Sequence, residues 1–370
     1  LAEANARFAL RLARALAEED PDANLLASPF SVSAALAMAY EAATNETRVA
    51  MARALGVETM TDEAFSASWR ALHANLSDRR NVTLDVANAF WLDDAFAPRV
   101  KPGFAQRLAE YHRSEAIGAD FRDPATVDRV NAWASEKTRG KIPEILDEIE
   151  PDEIAFLMNA VYFNGSWARE FNATCTRDAP FTRADGSTVT VRMMCGAPEK
   201  THTYAKAPNA TVVRAPYADD RLAMYAILPD AGATPDGLLA AWSGATLADA
   251  LDAARRDPAI LEMPRLDLKT RYDLRQALSA LGMGIAFTDA ASFERMAEGL
   301  YLSRVTHDAL LVVDERGTVA AAVTNVGVGV TSAPPPPLRV VVDRPYLLAI
   351  RDDATGAILF LGKVVDPTAE

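Results

Sequence analysis

The chain has 370 residues, half of them hydrophobic and about a quarter charged, with a formal net charge of −13. A chain of this length can bury a large core, and it contains no apolar run of about 18 residues that could cross a bilayer. The negative charge, and the lack of any block of Lys and Arg with interleaved aromatic residues, argue against a nucleic-acid partner. We therefore expect a soluble globular protein with no membrane or nucleic-acid partner.

The first elements along the chain are helical. Phe8, Leu12 and Leu16 alternate with charged residues at helical spacing, which predicts a surface helix with one apolar face. A second helix is predicted from Ser31, after Ser28-Pro29-Phe30, and its small residues suit close packing.

Strands and helices then mix along the rest of the chain. Residues 84–92 and 154–163 read as buried strands, separated by a helix around 130–134 that ends near Gly140. Short strands are expected from 181 to 230, and helices around 238–255 and 272–281. Strands are expected again at 309–313, 339–342 and 347–365. Without a linker or a repeat, this pattern predicts one α+β domain over residues 1–370.

Cys175 and Cys195 are the only cysteines. They are too few for a disulfide framework and lack the spacing of a zinc or thioredoxin-type site. They flank two predicted strands around the turn Ala184-Asp185-Gly186, so a cross-link could form, but we favour two unpaired thiols.

The chain begins at Leu1, which indicates either a removed signal peptide or a trimmed chain. The compartment stays open, with an extracellular location favoured. Abundant Ala and the preference for Arg over Lys favour a GC-rich, bacterial genome over selection for heat resistance through guanidinium ion pairs.

The motifs of common enzymes are missing from the sequence. It has no G-x-S-x-G elbow, no H-E-x-x-H, no phosphate loop and no complete G-x-G-x-x-G. Four histidines leave a triad assembled from distant segments conceivable, but nothing in the pattern favours one. We predict a protein that is not an enzyme and needs no cofactor.

Residues 314–345 stand out, because they begin charged, become small and β-prone, and then run into four prolines at 334–337. Alternate residues from Thr318 to Val328 form one small or apolar face, as in a strand that lacks a sheet. The prolines cannot donate ladder hydrogen bonds, so this strand must stop before them. A stiff linker or a ligand for a proline-recognising domain would each leave the small-residue strand unexplained.

Glu315-Arg316-Gly317-Thr318, followed by Val319-Ala320-Ala321-Ala322, resembles the hinge of the reactive-centre loop of serpins. Other segments resemble the family in the expected order, namely NLLASPFSVSAAL (24–36), VNAWASEKTRGKI (130–142), NAVYFNGSW (159–167), LAMYAILPD (222–230), residues 263–287 and residues 343–367. The resemblance implies a single serpin domain with three β-sheets, about nine helices and an exposed reactive-centre loop at about 315–340.

The resemblance also implies a mechanism. Serpins are cleaved in this loop by a serine protease, and the hinge then enters the main sheet and traps the covalent acyl-enzyme. Counting from the hinge places the reactive bond at Thr331-Ser332, with Val330-Thr331 as the second choice. The hinge residues are Glu315, Gly317, Thr318, Ala320, Ala321 and Ala322. A small or aliphatic residue before the reactive bond favours elastase-like or chymotrypsin-like targets over trypsin-like ones.

Two further groups of residues are implied by the resemblance. Ser28, Ser31, Asn159 and His307 match the family's shutter, a buried polar cluster beneath the main sheet, and on their own would read as a satisfied core network. Trp167 matches the breach, where insertion begins. We expect a monomer that forms a covalent complex with a serine protease; the alternative is a non-inhibitory serpin acting as a carrier or chaperone.

Overall fold

The computed structural model describes residues 1–76, 82–112, 114–151, 153–196, 202–318 and 337–369. These residues form nine α-helices: α1 (Ala2–Glu19), α2 (Pro29–Ala42), α3 (Asn45–Leu55), α4 (Asp62–Leu76), α5 (Pro102–Arg107), α6 (Ala125–Lys137), α7 (Pro235–Ala241), α8 (Gly244–Ala253) and α9 (Arg275–Leu278). None of these helices is long and apolar enough to cross a membrane.

Four short 3₁₀ or π-helical turns lie at Ala97–Arg99, Leu108–His112, Ser279–Met283 and Gly284–Phe287. The described residues also form sixteen strands: β1 (Leu25–Ala27), β2 (Val82–Asp93), β3 (Glu115–Ala119), β4 (Ala155–Ser166), β5 (Arg177–Thr182), β6 (Thr188–Cys195), β7 (His202–Ala207), β8 (Ala210–Pro216), β9 (Leu222–Pro229), β10 (Asp257–Pro264), β11 (Leu266–Asp273), β12 (Arg304–Val313), β13 (Gly317–Thr318), β14 (Leu338–Val341), β15 (Tyr346–Asp352) and β16 (Ile358–Val364).

Six strands form the sheet that carries the candidate site, in the order β11-β12-β13-β4-β2-β3. Its central strand, β4, is buried along almost its whole length. One face of β4 contributes Leu157, Val161 and Phe163 to the main core, and the other places Phe156 and Met158 in a smaller core with residues of α6. A strand covered on both faces reads as a continuous apolar run, as predicted for 154–163.

Helix α2 packs beneath this sheet and is buried on all sides. Its start follows from the sequence, because the Ser28 side chain caps the backbone N–H of Ser31 at 3.2 Å and Pro29 occupies the first helical position. The helix therefore begins two residues before the predicted Ser31 and carries both serines into the core.

The other ten strands form a second hydrogen-bonded sheet, in the order β1-β16-β15-β9-β8-β7-β10-β6-β5, with β14 paired to β10. Strand β10 pairs with β7 through its first residues and with β6 through its last. This shared strand joins the strands on its two sides into one ladder. The α+β fold expected from the resemblance is confirmed.

Two predicted helices differ in extent. The helix expected at 238–255 is two helices, because Ser243 starts α8 by capping Thr246. In the segment 272–281, Tyr272 and Asp273 belong to β11, where they pair with β12. Helical structure begins only with α9 (Arg275–Leu278) and continues as a π-helical turn over Ser279–Met283. Pairing with a long neighbouring strand overrides local helix propensity at Tyr272 and Asp273.

The prediction of two unpaired cysteines is wrong. Cys175 and Cys195 form a disulfide with a Cα–Cα distance of 5.8 Å. The bond forms because β5 and β6 pair as a hairpin that aligns Arg177 with Met193, which brings the cysteines just beyond that pair opposite each other.

Candidate functional site

The site lies where two parallel neighbours, β4 and β12, come apart. They pair directly from Phe156 to Tyr162 on β4 and from Arg304 to Leu310 on β12. Beyond those pairs β13 lies between them, with Thr318 opposite Val313 on one side and Gly165 on the other. Strand β13 is antiparallel to both neighbours. The end of the sheet where β13 separates β4 from β12 is its open end, and the part where β4 and β12 pair directly is its closed part.

Thr318 is fully buried at this opening. Its hydroxyl lies 2.8 Å from the Oη of Tyr217, a buried residue just after β8. The ring of Tyr217 stacks on Trp167, with centroids 4.6 Å apart and planes 12° from parallel. Trp167, predicted for the breach, therefore lies beside the end of the sheet where β13 separates β4 from β12, whereas Tyr217 was not predicted from the sequence.

The backbone at Gly317 approaches β4 too closely for a side chain. A Cβ at this position would lie 2.7 Å from the Cα of Ser166 and still closer to the carbonyl oxygen of Gly165. The sequence predicted a glycine that gives the hinge backbone freedom. The close approach to β4 is a second reason for glycine at this position.

A tight turn at 314–317 leads into the hinge. The Asp314 carboxylate accepts the backbone N–H groups of Arg316 at 2.8 Å and Gly317 at 3.1 Å. Trp167 binds the same turn twice: its indole Nε1 donates to the carbonyl of Asp314 and its backbone N–H donates to the carbonyl of Arg316, each at 2.9 Å. Trp167 therefore holds the turn at the end of β4.

Glu315, predicted as an acidic anchor, is buried in this turn with 6% of its surface exposed. Arg265 pairs with its carboxylate at 2.8 Å, and the hydroxyl of Thr176 donates to it at 2.7 Å. Burial alone would raise the pKa of Glu315, but the hydrogen bonds from Arg265 and Thr176 hold the pKa below its ordinary value. The anchor is thus a charged carboxylate.

The four residues predicted for the shutter meet about midway along the closed part of the sheet. Asn159 of β4 and His307 of β12 are register partners, and both point towards α2. The backbone N–H of Ser28 donates to His307 Nε2 at 2.9 Å, and Asn159 Nδ2 donates to Ser31 Oγ. All four are fully buried.

The network fixes the protonation of His307. Its Nε2 accepts a hydrogen bond, so Nδ1 carries the proton and donates to Asn159 Oδ1 at 2.5 Å. Burial lowers the pKa of His307 to about 3, which keeps the ring neutral. Asn88 of β2 also joins the network, because its Oδ1 accepts from Asn159 Nδ2 at 2.5 Å.

Sequence reasoning missed Asn88, although an asparagine in the middle of a predicted buried strand was a signal, because a buried amide needs partners. The reactive-bond residues Val330, Thr331 and Ser332, and the hinge residues Ala320–Ala322, lie outside the described residues. Among the residues that the structure describes, no group of three His, Cys, Asp or Glu side chains is arranged to hold a metal ion.

Comparison with known proteins gives a consistent result. Residues 3–367 match the family model described as "Serpin (serine protease inhibitor)". The chain is 33% identical to corticosteroid-binding globulin of Oryctolagus cuniculus, over 99% of this chain and 96% of that protein. It is also 33% identical to leukocyte elastase inhibitor of Sus scrofa, over 99% of each.

Among solved structures, the native state of Tengpin, a thermophilic serpin, superposes with a TM-score of 0.90 at 29% identity, covering 99% of this chain and 94% of that one. The two relatives come from mammals, so they do not support the bacterial origin inferred from composition.

Proposed function

This chain belongs to the serpin family, and from that premise we propose that it inhibits serine proteases as a suicide substrate. The observation that carries the proposal is the position of Thr318, buried between β4 and β12 at the open end of the sheet. The residues after it need only continue in the same direction to part the strands below. A cleaved loop can then enter as an additional strand, antiparallel to both neighbours.

Side-chain size supports this mechanism. Thr318 is already buried, and alternation assigns Ala320, Ala322 and Thr324 to the same face. Larger or charged side chains on that face would cost about 1–3 kcal/mol or more each as they entered a packed sheet. Val323 is larger than is usual in such hinges, but alternation assigns it to the outer face.

Insertion would act on the protease by moving it. About 14 residues at about 3.3 Å each would carry the linked enzyme some 45 Å. Displacing its oxyanion hole and base would slow deacylation by several powers of ten. Cleavage at Thr331-Ser332, or at Val330-Thr331, would suit elastase-like or chymotrypsin-like enzymes. The chain would act as a monomer and perform no catalysis itself.

A carrier or chaperone is the competing function, since corticosteroid-binding globulin is as similar to this chain as leukocyte elastase inhibitor is. Hinges of non-inhibitory serpins typically carry charged, bulky or proline residues, as the family resemblance implies. The hinge of this chain has small residues instead, which favours inhibition.

The test is to mix the protein with pancreatic elastase and with chymotrypsin, then to analyse the products on denaturing gels with mass spectrometry of the released fragment. We expect a denaturation-resistant complex of summed mass, and a fragment beginning at Ser332 or Thr331. Ala322→Glu should be cleaved equally fast without forming a complex, because a charge would have to enter the core. Cleavage of the parent protein with full recovery of active protease contradicts inhibition of these enzymes.

A further inference from the structure

The disulfide ties a short connecting segment to the sheet. Residues 171–176 lead from Trp167 into β5, and Cys175 in this segment is bonded to Cys195 at the end of β6. The backbone N–H of Asn172 also donates to the carbonyl of Cys195 at 2.9 Å. The position of the segment therefore depends on its attachment to β6.

The same segment binds the hinge anchor. The backbone N–H of Phe171 donates to the carbonyl of Glu315 at 2.9 Å, and Thr176, the residue after Cys175, donates to the Glu315 carboxylate at 2.7 Å. Glu315 stands two residues before Gly317, where β13 begins. The disulfide is thus one residue away from a side chain that holds the hinge in place.

Solvent can reach this bond. Both cysteines are partly exposed, and the three residues Asn172, Ala173 and Thr174 that precede Cys175 are exposed. A small dithiol can therefore attack the bond without unfolding the core.

We propose that Cys175–Cys195 is a redox site that sets how readily the sheet opens at β13. The inference rests on the proposed function in one respect, namely that strand insertion is the inhibitory step. Reduction breaks the Sγ–Sγ bond; a dithiol supplies two electrons and two protons, leaves two thiols on the protein and is itself oxidised to a disulfide.

The direction of the effect follows from the contacts. The disulfide closes a chain segment with a sequence separation of 20 residues, and its loss lets residues 171–176 move away from β6. Thr176 then donates to Glu315 for a smaller fraction of the time, and the turn at 314–317 is released more often. Opening of the sheet should become about 5-fold more frequent or more, as expected for a coupling between two neighbouring sites.

The experiment measures strand uptake without any protease. A fluorescent peptide copying residues 318–329 is added to the intact protein, and its incorporation is followed in the oxidised form and after treatment of the folded protein with dithiothreitol. We expect uptake at least about 5-fold faster after reduction. The double variant Cys175→Ser/Cys195→Ser should match the reduced protein and not respond to dithiothreitol.

Thr176→Val separates this role from general stabilisation by the disulfide. It removes the hydroxyl that donates to the Glu315 carboxylate and keeps the shape, so its redox response should fall well below the parental one. A smaller response should remain, because the Phe171 N–H still donates to the Glu315 carbonyl. Equal uptake by oxidised and reduced protein, or a full redox response in Thr176→Val, overturns the proposal. Both results are independent of protease trapping, so failure of the inhibitory function leaves this test intact.

Discussion

The two ends of the contact between β4 and β12 are built differently. At the open end the backbone of β4 pairs with β13, and Trp167 and Tyr217 hold the entering chain. In the closed part the two strands pair with each other over seven residues, Arg304–Leu310, above a buried polar network centred on Asn159. An incoming strand already has its hydrogen-bond partners at the first end and must displace existing ones at the second. We therefore expect opening to start at β13 and the polar network around Asn159 to resist it.

The largest expected effect comes from filling the space at the open end. Gly317→Val should expel β13, because its Cβ would collide with the backbone of β4 at Gly165 and Ser166. We expect at least a tenfold loss of covalent complex, which corresponds to about 1.4 kcal/mol or more. Hydrogen exchange at the Thr318 amide should also become faster. Gly103→Ala is the control, because a Cβ there meets nothing within 4 Å. If Gly317→Val forms as much covalent complex as the parent protein and exchanges the Thr318 amide at the same rate, then β13 does not depend on the close approach of Gly317 to β4.

Removing a hydrogen-bond partner of Asn159 in the closed part of the sheet should change strand uptake somewhat less than Gly317→Val does. It should speed uptake instead of slowing it. Asn88→Ala leaves the buried Asn159 amide without one acceptor, at a cost of about 1–3 kcal/mol. We expect a lower urea midpoint and faster uptake of a hinge peptide. Asn164→Ala, at a half-buried position of the neighbouring strand β4, is the control. If both variants lose the same stability, the shutter network is not what resists opening.

Acid should weaken the shutter through His307. Burial lowers its pKa to about 3, against about 6.5 in an unfolded chain, so the unfolded state binds the proton first as pH falls. The neutral His307 ring therefore makes its full contribution to the free energy of unfolding above about pH 6.5. This contribution falls by about 1.4 kcal/mol per pH unit as the pH drops towards 3. His307→Asn should reduce the pH slope of the urea midpoint over this range. A variant with the parental slope would contradict the assignment of a neutral, buried ring.

The smallest effect is expected from the hydroxyl that meets the hinge. Tyr217→Phe removes the hydrogen bond to Thr318 and keeps the stack on Trp167, so we expect a loss of about 1 kcal/mol in protection of the Thr318 amide. Tyr346→Phe is the matched control, because the Tyr346 hydroxyl is buried with no hydrogen-bond partner among the described residues. Equal hydrogen exchange at the Thr318 amide in the two variants argues against a role for the Tyr217 hydroxyl in holding β13.

The sequence predicted well those features that depend on local pattern. The start of α2 was predicted to within two residues, at Ser31 instead of Pro29, and the apolar run at 154–163 predicted a buried strand. The pairing of β4 with β12 is different, because it joins segments almost 150 residues apart. Only the family resemblance connected Asn159 with His307.

The misses also have physical reasons. Tyr217 meets Thr318 across 101 residues of sequence, and no local pattern predicts that contact. The disulfide could have been predicted, since Cys175 and Cys195 each lie ten residues from Asp185 in the predicted turn. A hairpin symmetric about that turn places them opposite each other.

If the hinge enters between β4 and β12, a covalent cross-link that joins these two strands must prevent trapping. Val161 and Ala309 are buried register partners on the two strands, so the variant Val161→Cys/Ala309→Cys can be oxidised to join them. The oxidised variant should be cleaved by elastase or chymotrypsin without forming a complex, and reduction should restore trapping, with the parent protein treated alike as the control. A locked sheet that still traps its protease would contradict the account.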